Sequence, residues 1–176
     1  VHLFPALMPA KRNELMAKYG KKYEGIYSAI IFVSLAIIVL GWRAAEPTQI
    51  YNPPVWGRHV TMLFVLIAII LFASAHMPSR IRQFVRHPML TGMAFWAVGH
   101  LLANGDSRSV VLFGGMLIWS VVNQVAINRR DGAWVNKPAV GPISKEVILV
   151  VASAVVYGVL MFLHPYFTGV PVITHN

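Results

Sequence analysis

Residues 26–40 read Ile-Tyr-Ser-Ala-Ile-Ile-Phe-Val-Ser-Leu-Ala-Ile-Ile-Val-Leu, and no charged residue stands between Glu24 and Arg43. At about 1.5 Å of rise per residue the uncharged run covers roughly 27 Å, close to the ~30 Å hydrocarbon core of a bilayer. It reads as a membrane-crossing helix. Working outward, the same pattern predicts spans over residues 24–42, 58–75, 88–104, 109–127 and 146–164. The expected fold is all-α, a polytopic transmembrane helical bundle with five spans, as one domain over residues 1–176. Composition agrees: the chain is 57% hydrophobic and 12% charged, where a soluble domain carries about 25% charged residues. Its opening, Val1-His2-Leu3-Phe4-Pro5-Ala6-Leu7-Met8, reads as the inner end of a further helix. Six spans and a truncated N-terminal span are therefore expected for the native protein.

The net charge of +9 is distributed rather than gathered on one face. Of the fifteen Lys and Arg residues, most fall in alternate connections: Lys11, Arg12, Lys18, Lys21 and Lys22; Arg80, Arg82 and Arg86; Arg129, Arg130, Lys137 and Lys145. The opposite side keeps Arg43, Arg58 and Arg108. This is the positive-inside pattern of a membrane protein. It places the basic loops in the cytoplasm and the tail 165–176, with His175, outside. A nucleic-acid partner is not expected, because that role needs a continuous basic face with reading residues. Membrane lipid is the expected partner. Residues 9–23 form either a surface helix on anionic lipid or, more simply, an ordinary basic loop. Trp42 and Trp56 suit the outer headgroup zone and Trp134 the inner one. Trp96 and Trp119 lie deep, where they pack on helices, lipid or a flat ligand.

With no cysteine, disulfides, thiolate ligands and cysteine nucleophiles are excluded. The acids Glu14, Glu24, Glu46, Asp106, Asp131 and Glu146 stand in or beside connections, so neither a carboxylate cluster nor a hydrolase triad is expected. Chemistry falls to the histidines of the segment 86–106. His87 stands at its polar edge and His100 well inside it. An ionisable residue within a membrane helix is a functional candidate, and imidazole is a haem ligand. Their separation of thirteen positions corresponds to about 19–20 Å of helix, so they cannot share one iron.

Counting rise along the helices places His100 about 18 Å above the inner end of its span and His2 at a comparable depth. His59, at the start of the second span, is the rival partner for His100. For His59, His76, His87 and His164 the simpler reading is an interfacial residue or a cap. For His100 it is an interhelical hydrogen bond. Pro88 suits the first turn of a helix, and Gly92 lets another backbone or a ligand approach. Met89, Met93 and Met116 read as packing residues. Asn104-Gly105-Asp106-Ser107 reads as a tight turn in which glycine's tolerance of positive φ is used.

Arg86-His87-Pro88-Met89-Leu90-x-Gly92, Trp96, His100-Leu101-Leu102-Ala103-Asn104-Gly105-Asp106, the opening His2-Leu3-x-Pro5-Ala6, Pro53-Pro54-x-Trp56-x-Arg58-His59 and Arg80-Ile81-Arg82 together resemble the NnrU family of bacterial membrane proteins. That family is associated with denitrification and is similar to 15-cis-ζ-carotene isomerase, a haem b membrane enzyme. The resemblance implies haem b with axial histidines at His2 and His100. It also implies a bacterial inner (cytoplasmic) membrane location with a periplasmic C-terminus. The function it implies is a redox, sensing or maturation role in nitrogen-oxide metabolism, or isomerisation of an apolar lipid. Trp96 is then a candidate to pack on the macrocycle, and Arg58 and Arg86 to pair with propionates. Ala97 stands where the isomerase-type proteins carry cysteine, which excludes ligand switching through a thiolate.

A second likeness joins Arg86-His87-Pro88-x-x-x-Gly92 to membrane methyltransferases that bind S-adenosylmethionine, although the exit Arg129-Arg130-Asp131 holds one acid where a pair is expected. A non-catalytic accessory subunit of a respiratory complex is the remaining alternative.

Overall fold

Proline and glycine set most of the helix limits. The computed structural model describes residues 1–170 and 172, so His175 lies outside the described residues. Seven α-helices and one 3-10 turn are found among them. These are α1 (Phe4–Leu7), α2 (Pro9–Tyr19), α3 (Lys21–Ala44), α4 (Gly57–His76), the turn Arg80–Gln83, α5 (Pro88–Ala103), α6 (Ser107–Asp131) and α7 (Ile143–Thr168). Pro9 and Pro88 sit in the first turns of α2 and α5, where a missing N–H costs nothing. Gly20 (φ 51°) and Gly132 (φ 64°) end α2 and α6 in backbone conformations that a side chain resists. Residues 9–23 are therefore helical over most of their length and not an ordinary loop.

Among the described residues four helices are long and apolar enough to cross a membrane: α3, α4, α6 and residues Ile143–Tyr166 of α7. The expected span 88–104 forms as α5, apolar but with 16 residues. It rises about 24 Å, short of a ~30 Å core, so length alone does not make it a fifth crossing. Pro88 fixes one end of α5, and the turn at Asn104 fixes the other.

The helices α4 and α5 form the close-packed centre. A Cβ on Gly92 would stand 2.8 Å from the Phe72 ring and 3.0 Å from the Ala68 carbonyl. One on Gly99 would meet Phe64 at 3.2 Å. Ala68 and Ala97 are fully enclosed. The Thr61 hydroxyl donates within this contact to the Gly99 carbonyl. Small residues let helices approach in lipid, where dispersion rather than the hydrophobic effect drives association. By contrast, α3 contributes no buried residue.

Polar contacts close the bundle at both ends. At the basic end Glu146 accepts from the Ser79 hydroxyl and the Arg80 amide. Lys137 donates to the Gln83 carbonyl, and Arg86 to the Gly132 carbonyl. At the other end the loop 45–56 lies against the α5–α6 turn. The Ile50 and Tyr51 amides donate to the Gly105 carbonyl at 2.8 and 3.1 Å. The Tyr51 hydroxyl lies on the Leu101 and Asn104 carbonyls. Gly105 does not use positive φ. It is required because a Cβ there would stand 1.9 Å from the Tyr51 carbonyl oxygen, so close approach, not turn conformation, fixes the residue. Asp106 caps α6 by accepting from the Ser109 amide.

Candidate functional site

A cavity of about 740 Å³ separates α3 from the first half of α6. Leu35, Ile38, Val111 and Met116 supply apolar wall, and Gly41 and Gly115 leave it unobstructed. Trp42 and Arg108 stand toward the Gly105 end, with the guanidinium 4.9 Å over the indole. The Arg108 Nε is buried without a hydrogen-bond partner and lies 3.7 Å from the Asp106 carboxylate. Deeper in the cavity are His2 and Trp119, whose indole N–H donates to the His2 carbonyl at 3.2 Å. The one-turn helix α1 follows His2 and packs on α6. The N-terminal segment is thereby folded into the bundle, and this positions the imidazole.

The His2 ring is held by its Nε2, 3.0 Å from the Ser34 hydroxyl. That hydroxyl donates to the Ile31 carbonyl, so it accepts from Nε2–H and leaves the lone pair on Nδ1. His100 has the opposite tautomer. Its Nδ1 is 2.8 Å from the Trp96 carbonyl, an acceptor only, so Nδ1–H donates and Nε2 carries the lone pair. A backbone acceptor on one ring nitrogen is the usual support for a histidine that binds metal through the other. The bond runs within α5 and is not the interhelical bond that burial alone suggests. Phe113 stacks on the His100 ring at 4.5 Å and 25°, while Trp96 lies 4.7 Å from it.

The structure does not bring His2 and His100 into one cavity. His100 lines a smaller pocket of about 230 Å³, with Arg58, Tyr157, Met161 and His164. Phe113 lies between His100 and Trp42, the wall of the larger cavity, meeting Trp42 edge-on at 6.1 Å. His2 stands in the turn before α1 and His100 in the last turn of α5, and the two side chains enter different spaces. His59 is exposed in the first turn of α4 and is not on either wall.

His87 Nε2 is 2.9 Å from the Asn128 side-chain oxygen. Together with the Arg86 contact to Gly132, it fastens the start of α5 to the end of α6. The Arg-His-Pro turn is thereby engaged in joining helices, and Arg86 is placed as an anchor. Trp96 packs against both His100 and Phe113, 4.9 Å from the latter. Among the described residues no group of three or more His, Cys, Asp or Glu could hold a metal ion.

These contacts join the segments 1–7, 86–106 and 107–131, which carry most of the shared motifs. The sequence model of the NnrU protein family matches residues 1–172. The chain belongs to the NnrU family. Comparison with curated proteins and with solved structures gave no match. In this NnrU protein, sequence reasoning missed Ser34, Arg108 and Phe113 as neighbours of the histidines. A charged residue in the first turn of α6, two positions after a capping aspartate, was the signal available for Arg108.

Proposed function

We propose that this NnrU protein binds haem b in a five-span membrane bundle, with its basic end toward the cytoplasm of a bacterial inner membrane and its C-terminus periplasmic. One observation carries this reading: the larger cavity holds an imidazole, two indoles and a guanidinium in an otherwise apolar space. Its volume of about 740 Å³ falls in the ~300–1,000 Å³ range of small-molecule sites. The 230 Å³ pocket at His100 falls below that range.

Haem needs a nitrogen donor, flat apolar walls and a counter-charge for its propionates. His2, Trp42 with Trp119, and Arg108 with Ser107 are groups of those kinds, so the residues fit. To supply an axial nitrogen through Nε2, His2 must give up Ser34. His100 is the second candidate, since its Nε2 already carries the lone pair. When bound, haem would contribute a redox-active iron. The family resemblance then supports a redox, sensing or maturation role linked to nitrogen oxides. Isomerisation of an apolar lipid within the same walls is the second reading. It is supported by the near-absence of polar groups on the cavity's α3 side, from Ile31 to Ile38.

The test is a visible spectrum of the detergent-purified protein, oxidised and reduced, with a pyridine haemochrome assay on wild type, His2→Ala and His100→Ala. A b-type signal lost in His2→Ala supports the cavity as the haem seat. Loss in both variants assigns both histidines to the iron. A colourless wild type from haem-replete cells overturns the proposal, and full haem content in His2→Ala removes the cavity as the haem seat.

A further inference from the structure

A second, polar recess of about 460 Å³ opens where α2, the start of α3 and the end of α6 meet. It lies toward the basic end, about one turn of α3 from the apolar cavity (Ser28 against Ile31), and the proposed haem site does not use it. Arg12 of α2, Tyr23, Glu24, Tyr27 and Ser28 of α3, and Arg130 of α6 line it. The uncharged run of α3 begins among these residues, at Gly25, and the uncharged run of α6 ends just before Arg129 and Arg130, at Asn128. The recess therefore lies at the level where a bilayer's hydrocarbon gives way to its phosphates.

Three features point to a ligand. The Tyr23 hydroxyl is buried and has no hydrogen-bond partner, although its ring is stacked on Tyr27 at 5.8 Å. A buried hydroxyl left unsatisfied is costly, and such groups are normally matched by an acceptor. Arg130 engages Asp131 through Nε and Nη2, leaving Nη1 to another acceptor. Arg12 makes only a long 3.4 Å contact with the Asn13 side chain. Two guanidiniums and a phenol thus converge on one space, the donor set that recognises a phosphate. The single carboxylate beside them, Glu24, opposes a simple anion but suits an ammonium group.

We propose that this recess binds the zwitterionic phosphoethanolamine headgroup of a membrane phospholipid. Arg12, Arg130 and the Tyr23 hydroxyl hold the phosphodiester, and Glu24 holds the ammonium. The acyl chains then run along the exposed apolar surface of α3, where Ile26, Ile30 and Val33 face outward.

The experiment is native mass spectrometry of the full chain released from nanodiscs containing equal parts phosphatidylethanolamine, phosphatidylglycerol and phosphatidylcholine. Wild type, Tyr23→Phe, Arg12→Gln and Glu24→Gln are compared. Wild type is expected to retain one phosphatidylethanolamine in preference to the others. Tyr23→Phe and Arg12→Gln should each weaken retention by roughly tenfold, the loss of one charge-assisted contact. Glu24→Gln should shift the preference toward phosphatidylglycerol. Tyr23→Phe removes only an oxygen, so it keeps the test valid if the arginine variant folds poorly. Unchanged retention in Tyr23→Phe and Arg12→Gln overturns the proposal. So does equal protection by inorganic phosphate or glycerophosphoethanolamine in lipid-free detergent, which would assign the recess to a soluble phosphate compound.

Discussion

The α4–α5 contact and the α3–α6 gap are built from the same residue types, yet one is closed and the other open. In the first, Gly92 and Gly99 receive Phe72, Ala68, Phe64 and Thr61 at distances where a methyl group would not fit freely. In the second, Gly115 has nothing within 4 Å of its missing Cβ. Glycine brings backbones together on one side of the bundle and keeps a cavity clear on the other. A rigid centre beside a loosely held helix is a useful arrangement for a ligand-binding membrane protein. For the proposed haem site, α6, packed on that centre through α5, would supply the fixed wall, and α3, which has no buried residue, the open one.

The sharpest way to break this comparison is at the rim of the closed half. A Cβ on Gly57 would stand 2.0 Å from the Leu102 carbonyl oxygen, and neither partner is a side chain that can turn away. Gly57→Ala is expected to destabilise at or beyond the upper end of overpacking costs, ~3 kcal/mol. Thermal unfolding of the detergent-solubilised protein, followed by circular dichroism, reads the effect. A midpoint within a degree or so of wild type would mean that the α4–α5 contact is not held as described.

A matched pair of substitutions comes next in size. Gly92→Ala places its methyl against Phe72 and the Ala68 carbonyl and should cost roughly 1–3 kcal/mol. Gly115→Ala meets open space and should be neutral, or stabilising by up to ~1 kcal/mol through helix propensity. The two thermal midpoints should therefore move in opposite directions, or only the first should move. A loss for Gly115→Ala equal to that for Gly92→Ala would show that α3 closes on α6.

The same comparison separates what the sequence discloses from what it withholds. Uncharged run lengths, Pro88 at a helix start and Asp106 at a cap are local features, and each helix formed near its expected place. Gly92 was legible as a point of close approach because small residues serve that end in membranes. Gly105 was misread: its role comes from Tyr51, more than fifty residues away in sequence, and no turn rule contains that contact. The histidines show the limit most clearly. Rise per residue gave His2 and His100 similar depths, but His2 stands in a turn held by Ser34 and Trp119 and His100 is screened by Phe113, contacts that are not written locally. The α3–α6 cavity was equally illegible, since a gap is a property of two helices and not of either sequence. Four of the five expected crossings have the length for it, and the fifth, α5, is short for a related reason. Hydropathy marks α5 as apolar, while its short length follows from Pro88 and from the clasp at Asn104.

The smallest expected effect tests the clasp that joins the two halves at the Gly105 end. Burial raises the Asp106 pKa, but hydrogen bonds from the Ser109 hydroxyl and amide and from its own backbone, with the Arg108 charge, outweigh it and hold the carboxyl below its ordinary range. A folded-state pKa below the unfolded value of ~3.9 contributes stability above that pH and loses it as pH falls through the folded value. The thermal midpoint of wild type should therefore drop on acidification below about pH 4 by more than that of Asp106→Asn. At neutral pH the asparagine should cost only a few tenths of a kcal/mol, because it caps a helix about as well as aspartate does, whereas Asp106→Ala should cost about 1 kcal/mol. Parallel acid profiles for wild type and Asp106→Asn would remove Asp106 as a pH-dependent fastening. The two bonds between Ser107 and Thr48, the Ser107 amide to the Thr48 carbonyl at 2.7 Å and the Thr48 amide to the Ser107 hydroxyl at 3.1 Å, would then remain as what holds α6, and with it Arg108, in place at the cavity rim.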